Sequence, residues 1–159
     1  MAKLIAVVLV LYAFSCAVPE NVPLPDHRVQ WFPCSEVKYS TPLKLSWVVG
    51  AIRMNLTGRD SYHGIYVQLE PGFGGGKINA GYRFGEHSFL PVYSLGLGVS
   101  FLQTWGNPLG DVESGQSYAG MELRASAFML GVNYGVFRHV ARDSNERKWI
   151  QTIGIGMGI

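Results

Sequence analysis

Charged side chains are scarce in this chain: Asp, Glu, Lys and Arg make up 15% of its 159 residues, below the share usual in soluble domains. The formal charge is only +2, and no Lys/Arg run carries interleaved aromatics, which argues against a nucleic-acid partner. Cysteine is nearly missing. Cys16 falls in a leader-like segment and leaves Cys34 as a single thiol, so no disulfide framework is expected. The four histidines, His27, His63, His87 and His139, lack metal-ligand spacing, and the glycines from Gly72 to Gly76 precede no helix that would cradle a phosphate. No metal or cofactor is expected. Although 48% of the residues are hydrophobic, no stretch of the body approaches the ~18 continuous apolar residues of a membrane-spanning helix. If the chain crosses a membrane, it must do so with strands.

What is present begins with a leader. Residues 1–17 start with Lys3, run apolar from Leu4 to Phe14 and end on Ser15-Cys16-Ala17, small residues of the kind a signal peptidase reads. The run is too short to span a bilayer, and the three prolines between Val18 and Pro25 prevent it from continuing as a helix. The expected organisation is a cleaved signal peptide at 1–17, a periplasmic N-terminal segment at 18–26 and one domain at 27–159. The alternative, a lipidated Cys16, also delivers the chain past the inner membrane.

From residue 43 onward the hydrophobic period is two, the mark of strands with distinct faces. Tyr93, Leu95, Leu97, Val99 and Phe101 share one face, against Ser94, Gly96, Gly98 and Ser100 on the other. The terminal run sets Ile153, Ile155 and Met157 against Thr152, Gly154, Gly156 and Gly158. A soluble barrel needs bulky apolar side chains inside and charge outside. The polar faces here are mostly glycine and serine, which suits a crowded lumen, with the apolar stripes turned toward acyl chains. The fold class is therefore all-β: an antiparallel up-and-down transmembrane barrel. Eight strands are expected, at 27–38, 43–56, 64–71, 75–85, 90–105, 117–127, 129–140 and 148–159. Pro33 weakens the first, and the boundary near Phe128 rests on a change of parity.

Glu70, Lys77, Arg83, Glu122 and Arg124 fall on the polar faces, where they can pair away from lipid as a lumen network. With the N-terminus on the periplasmic side, residues 106–116 and 141–147 are external loops. Trp105 and Trp149 then lie at the outer interface, and Phe84 and Tyr93 at the inner one, as an aromatic girdle.

The leader, the Gly-aromatic strands such as Gly81-Tyr82-Arg83-Phe84 and the alternating last strand resemble the small bacterial outer-membrane barrels of the OmpA, OmpX and opacity type. Ile159 departs from the terminal Phe or Trp usual there. The resemblance implies outer-membrane lipid and lipopolysaccharide as surroundings, and the barrel assembly machinery as a partner. It also implies external loops that contact a ligand or protein not identified by the sequence. Some barrels of this size act on lipid A. Here, however, His139 and Ser144 are separated by Val140-Ala141-Arg142-Asp143, and Asp60-Ser61 with His63 lies in a polar turn, where such residues bond their own backbone. No catalytic residue is assigned. The expected function is a structural or surface-interaction role around a filled, non-conducting lumen. The alternatives are a lipid A acyl hydrolase or acyltransferase and a soluble secreted barrel that binds a small apolar ligand.

Overall fold

The computed structural model describes residues 29–57, 61–87, 91–110, 112–140 and 149–158. The leader, the segment 18–26, Asp60, Asp111, Ile159 and the loop 141–148 lie outside these residues. Eight strands follow in order: β1 (Val29–Ser40), β2 (Lys44–Thr57), β3 (Ser61–Gly72), β4 (Gly75–His87), β5 (Pro91–Thr104), β6 (Ser117–Ala127), β7 (Leu130–His139) and β8 (Trp149–Gly158). Each pairs antiparallel with its neighbour, and β8 pairs with β1 to close the barrel. Closure gives the backbone of every strand a partner on both sides over much of its length, which is why alternating strands of this number stop growing as an open sheet.

The register fixes the barrel's width. Val29 pairs Asn55, and the row continues through His63, Phe84, Leu95, Ala125, Val132 and Ile155 to return to β1 at Tyr39, ten residues beyond its start. For eight strands such a stagger tilts them by roughly 40° and leaves an interior that side chains can fill.

All but one of the strand ends fall within about two residues of those expected. β3 begins at Ser61 rather than 64, so the long connection expected at Thr57 to His63 is short. The boundary at Phe128 is a two-residue turn, with Ala127 paired to Leu130 and Phe128 at φ 55°. Parity reveals such a turn, although it carries no glycine. Pro33 sits inside β1 opposite Ala51, in the part of the strand before the β8 ladder begins at Glu36, where a missing N–H is tolerated as on an edge.

The apolar stripes point out. Leu97, Val99, Ile153 and Ile155 are between 51% and 66% exposed, while Ser94, Ser100, Asn133 and Thr152 on the opposite faces are buried. Two apolar tiers fill the lumen's ends. Leu43, Leu102, Tyr118, Phe137 and Ile150 pack at the end that carries the β5–β6 loop, and Ile52, Tyr62 and Tyr66 pack toward the other. Tyr66 reaches across to β4 and β5, and glycine makes room for it: a Cβ on Gly98 would overlap its hydroxyl and come within 2.7 Å of the Ala80 carbonyl oxygen.

Gly98 and Gly96 therefore differ sharply although both face inward on one strand. Gly98→Val is expected to prevent stable folding, because neither a neighbouring carbonyl nor a buried ring can yield. Gly96→Ala, whose Cβ would meet nothing closer than 3.4 Å, is expected to be tolerated. Urea unfolding midpoints of the two variants check this. Similar midpoints would contradict the packing assigned to Tyr66.

Candidate functional site

Between the two apolar tiers lies a layer of charge. Glu70 projects inward from β3 and is fully buried. Its Oε2 lies 2.8 Å from Lys38 Nζ on β1, 3.1 Å from Lys77 Nζ on β4 and 3.5 Å from Arg124 Nη2 on β6. Its Oε1 accepts hydrogen bonds from Ser46 Oγ at 3.0 Å and Ser40 Oγ at 3.4 Å. The second carboxylate, Glu122, takes Lys77 Nζ at 2.5 Å on one oxygen and Arg124 Nε at 2.7 Å on the other. Arg124 also donates from Nη1 to Gln68 Oε1, and Gln68 Nε2 donates to the Cys34 sulfur at 3.2 Å. Cys34 is a buried free thiol.

Local sequence explains the placement. The β3–β4 hairpin sets Gly72 opposite Gly75, which brings Glu70 directly opposite Lys77. On β6, Glu122 and Arg124 are two residues apart and so share the inward face. Their neighbours are small: Gly98 opposite Glu122 on β5, and Gly96 opposite Arg124. These absences of side chain make room for a guanidinium and two lysine stems in a narrow interior.

Of the five residues singled out from sequence, Glu70, Lys77, Glu122 and Arg124 meet in this layer. Arg83 faces the lumen but makes no ion pair among the described residues. Its guanidinium lies 5.8 Å from the Tyr66 ring centroid, on which Arg124 also packs at 5.9 Å. Lys38 belongs to the network and was not among the expected residues. The signal was available in Glu36, Lys38 and Ser40 alternating with Val37 and Tyr39, but the expected strand stopped at residue 38. Glu36 also lies inside, since a Cβ on Gly156 would overlap its carboxylate. The aromatics Phe84, Tyr93, Trp105 and Trp149 all face outward, at 42% to 59% exposure. Trp105 and Trp149 stand at the loop-bearing end and Phe84 and Tyr93 at the opposite one.

No reactive constellation gathers around the histidines whose surroundings are described. His63 Nδ1 lies 3.2 Å from Thr57 Oγ1, and its ring stacks with Tyr82 at 6.1 Å. His139 Nε2 meets Gln116 Oε1, and its ring lies 5.2 Å from that of Tyr118. The nearby Asp143-Ser144 pair lies outside the described residues. Among the described residues no three His, Cys, Asp or Glu side chains are grouped as a metal ion would need. What the described residues offer here is electrostatic: a buried, cross-barrel clamp that ties β1, β3, β4 and β6 together.

Removing Glu70 leaves Lys38 buried without its carboxylate partner and leaves Lys77 and Arg124 with Glu122 alone. Glu70→Gln is expected to cost about 3 to 5 kcal/mol, because three cations then lose their shared counter-ion. Lys38→Met, which removes one cation of three, is expected to cost less. Equilibrium unfolding of the two variants measures the difference, and equal losses would contradict the central place of Glu70.

Compared with family models, with curated proteins and with solved structures, the chain matches none.

Proposed function

We propose that this chain is an outer-membrane β-barrel with a structural or surface-interaction role, its lumen filled and non-conducting. One observation carries the reading: a cluster of charged residues is buried inside while large apolar side chains cover the outer wall. Glu70, Glu122 and Lys38 are at most 2% exposed, whereas Trp31, Val99 and Ile153 are each above 60%. In water this arrangement would leave a wide apolar surface without a partner, far beyond the scattered patches that soluble monomers expose. In a bilayer both faces are satisfied, because lipid covers the apolar belt and ion pairs neutralise the interior.

Details of the wall fit the same setting. Trp47 Nε1 donates to Ser35 Oγ at 2.9 Å between neighbouring strands, so this polar N–H on the outer wall has a partner. Trp105 and Trp149 on one rim, with Phe84 and Tyr93 on the other, match the girdles found where barrels meet headgroups. The long connection 105–116 lies at the rim that would face outward and offers the contact surface for a partner. A leader at 1–17 would supply the route. The reading of a soluble secreted barrel would need the two faces exchanged, and no described group favours lipid A acyl chemistry.

Membrane fractionation and gel mobility check the setting. The protein is expected in the detergent-soluble membrane fraction, and unheated samples are expected to migrate differently from boiled ones because a closed barrel resists unfolding in detergent. Recovery as a detergent-free soluble monomer would overturn the proposal. In planar bilayers the purified protein is expected to show no stable conductance, since inward side chains, the buried charged layer among them, fill an eight-stranded lumen. Large, steady single-channel currents would contradict a filled interior.

A further inference from the structure

The barrel wall is not evenly closed. β8 pairs with β1 only where Gly154 to Gly158 meet Ser40 to Glu36, whereas β7 accompanies β8 from Trp149 to Met157. β1 turns away into β2 at Thr41, so the first residues of β8 run on past it. Thr41 ends the ladder: its N–H donates to the Ile153 carbonyl at 3.0 Å, and its Oγ1 accepts the Ile153 N–H at 3.1 Å. Peptide groups alternate in direction along a strand, so Gln151 is the next residue of β8 whose N–H and C=O point to that side. No described strand lies beside it. Backbone groups held without a strand partner at the edge of an apolar wall call for another one.

Two hollows meet at this point. A crevice of about 680 Å³ opens between the β1–β2 turn, the β5–β6 loop and β8, lined by Thr41, Pro42, Leu109, Trp149 and Gln151 among others. A second hollow of about 520 Å³ lies on the outer wall below it, and Thr41 lines both. The second is a groove across strands. Ala125, Val132, Ile155 and Tyr39 follow one another along one interstrand row of its floor, from β6 to β1. Three strand spacings make that row roughly 14 Å long. Ala125 leaves a depression at the far end, between the larger Leu95 and Val132 on either side. At the rim of the crevice, the exposed guanidinium of Arg138 lies 5.9 Å from the ring centroid of Trp149.

We propose that crevice and groove together form one binding site for an anionic, acylated membrane lipid. One acyl chain lies in the groove across β1, β8, β7 and β6. The carbonyl or hydroxyl of its linkage meets the backbone of Gln151 beside Thr41, where no described strand pairs with it, and the phosphate reaches Arg138. The order of features selects the ligand class: an apolar track, then backbone groups that no described strand pairs, then a cation beside an aromatic ring is the outline of an amphiphile. A peptide strand laid along Gln151 is a weaker fit, because the groove runs across the strands and offers no second backbone edge. The site rests on the membrane reading above, and it makes the β1–β8 seam the part of the wall that distinguishes one lipid from another.

The test is native mass spectrometry of the full chain purified in detergent. Dimyristoyl phosphatidylglycerol is titrated in one series and phosphatidylcholine with the same chains in another. One lipid is expected to be retained saturably, with the anionic lipid held about tenfold tighter. Ala125→Trp, or Ile155→Trp from the neighbouring strand, is expected to fill the groove and weaken retention about tenfold for both lipids. Arg138→Gln is expected to abolish the preference between headgroups while chain binding persists. Heat-dependent gel mobility reports whether each variant keeps its barrel. Unchanged retention in folded Trp variants would overturn the site, as would unsaturable binding that ignores headgroup. A wild-type protein that needs detergent and shifts on heating, yet retains no saturable lipid, overturns this site alone. A detergent-free soluble monomer overturns the membrane reading with it.

Discussion

Glu70 holds its carboxylate in the middle of the barrel with three cations around it, and the interior is arranged so that this meeting is possible. A buried carboxylate without partners would cost far more than a small barrel's stability. Each surrounding feature serves to lower that cost. Ser40 and Ser46 occupy the second oxygen, Glu122 takes the remaining contacts of Lys77 and Arg124, and Gln68 caps the guanidinium. The members of the layer are almost fully buried, which strengthens every attraction within it and makes any unpaired member expensive. Because the partners sit on β1, β3, β4 and β6, the clamp acts across the lumen, where backbone hydrogen bonds cannot reach.

The glycines belong to the same account. An eight-stranded wall with a stagger of ten residues encloses too little space for large side chains from every strand. β5 and β8 therefore contribute little volume to the middle of the lumen: Gly96 and Gly98 on β5, Gly154 and Gly156 on β8. Tyr66 and Arg124 use the space over β5, and Glu36 uses the space over Gly156. Bulk is placed outward instead, where the same strands carry Leu97, Val99, Ile153 and Ile155. One constraint on volume thus accounts for both the small inward and the large outward residues.

The stagger also decides where the wall is thin. Strands tilted in this way cannot all end level, so β8 overshoots β1 at the loop-bearing rim while β1 extends beyond β8 at the other. Pro33 falls in the first unmatched stretch of β1 and Gln151 in that of β8. The proposed lipid site lies at this second mismatch, where the fold leaves hydrogen-bonding groups and an apolar track side by side. A seam of this kind is a consequence of closing a sheared sheet and needs no special motif.

Alternation of residue type in the chain was enough to set most strands, their faces and the outward turn of the apolar stripes, because a strand's side-chain period of two is a local property. The Glu70–Lys77 pair was nearly as legible, since a tight hairpin at Gly72 to Gly75 brings the two opposite each other. Lys38 was harder to read: its strand contains Pro33 and its partner is 32 positions away, so nothing local announces the pairing. Arg83 and Arg124 look alike in sequence, each on the polar face of its strand, yet only Arg124 reaches the carboxylates while Arg83 stacks on Tyr66. The sequence by itself determined which residues face inward. Only the tertiary structure decided which of them meet, and where the β1–β8 seam opens, because both depend on the register summed around all eight strands.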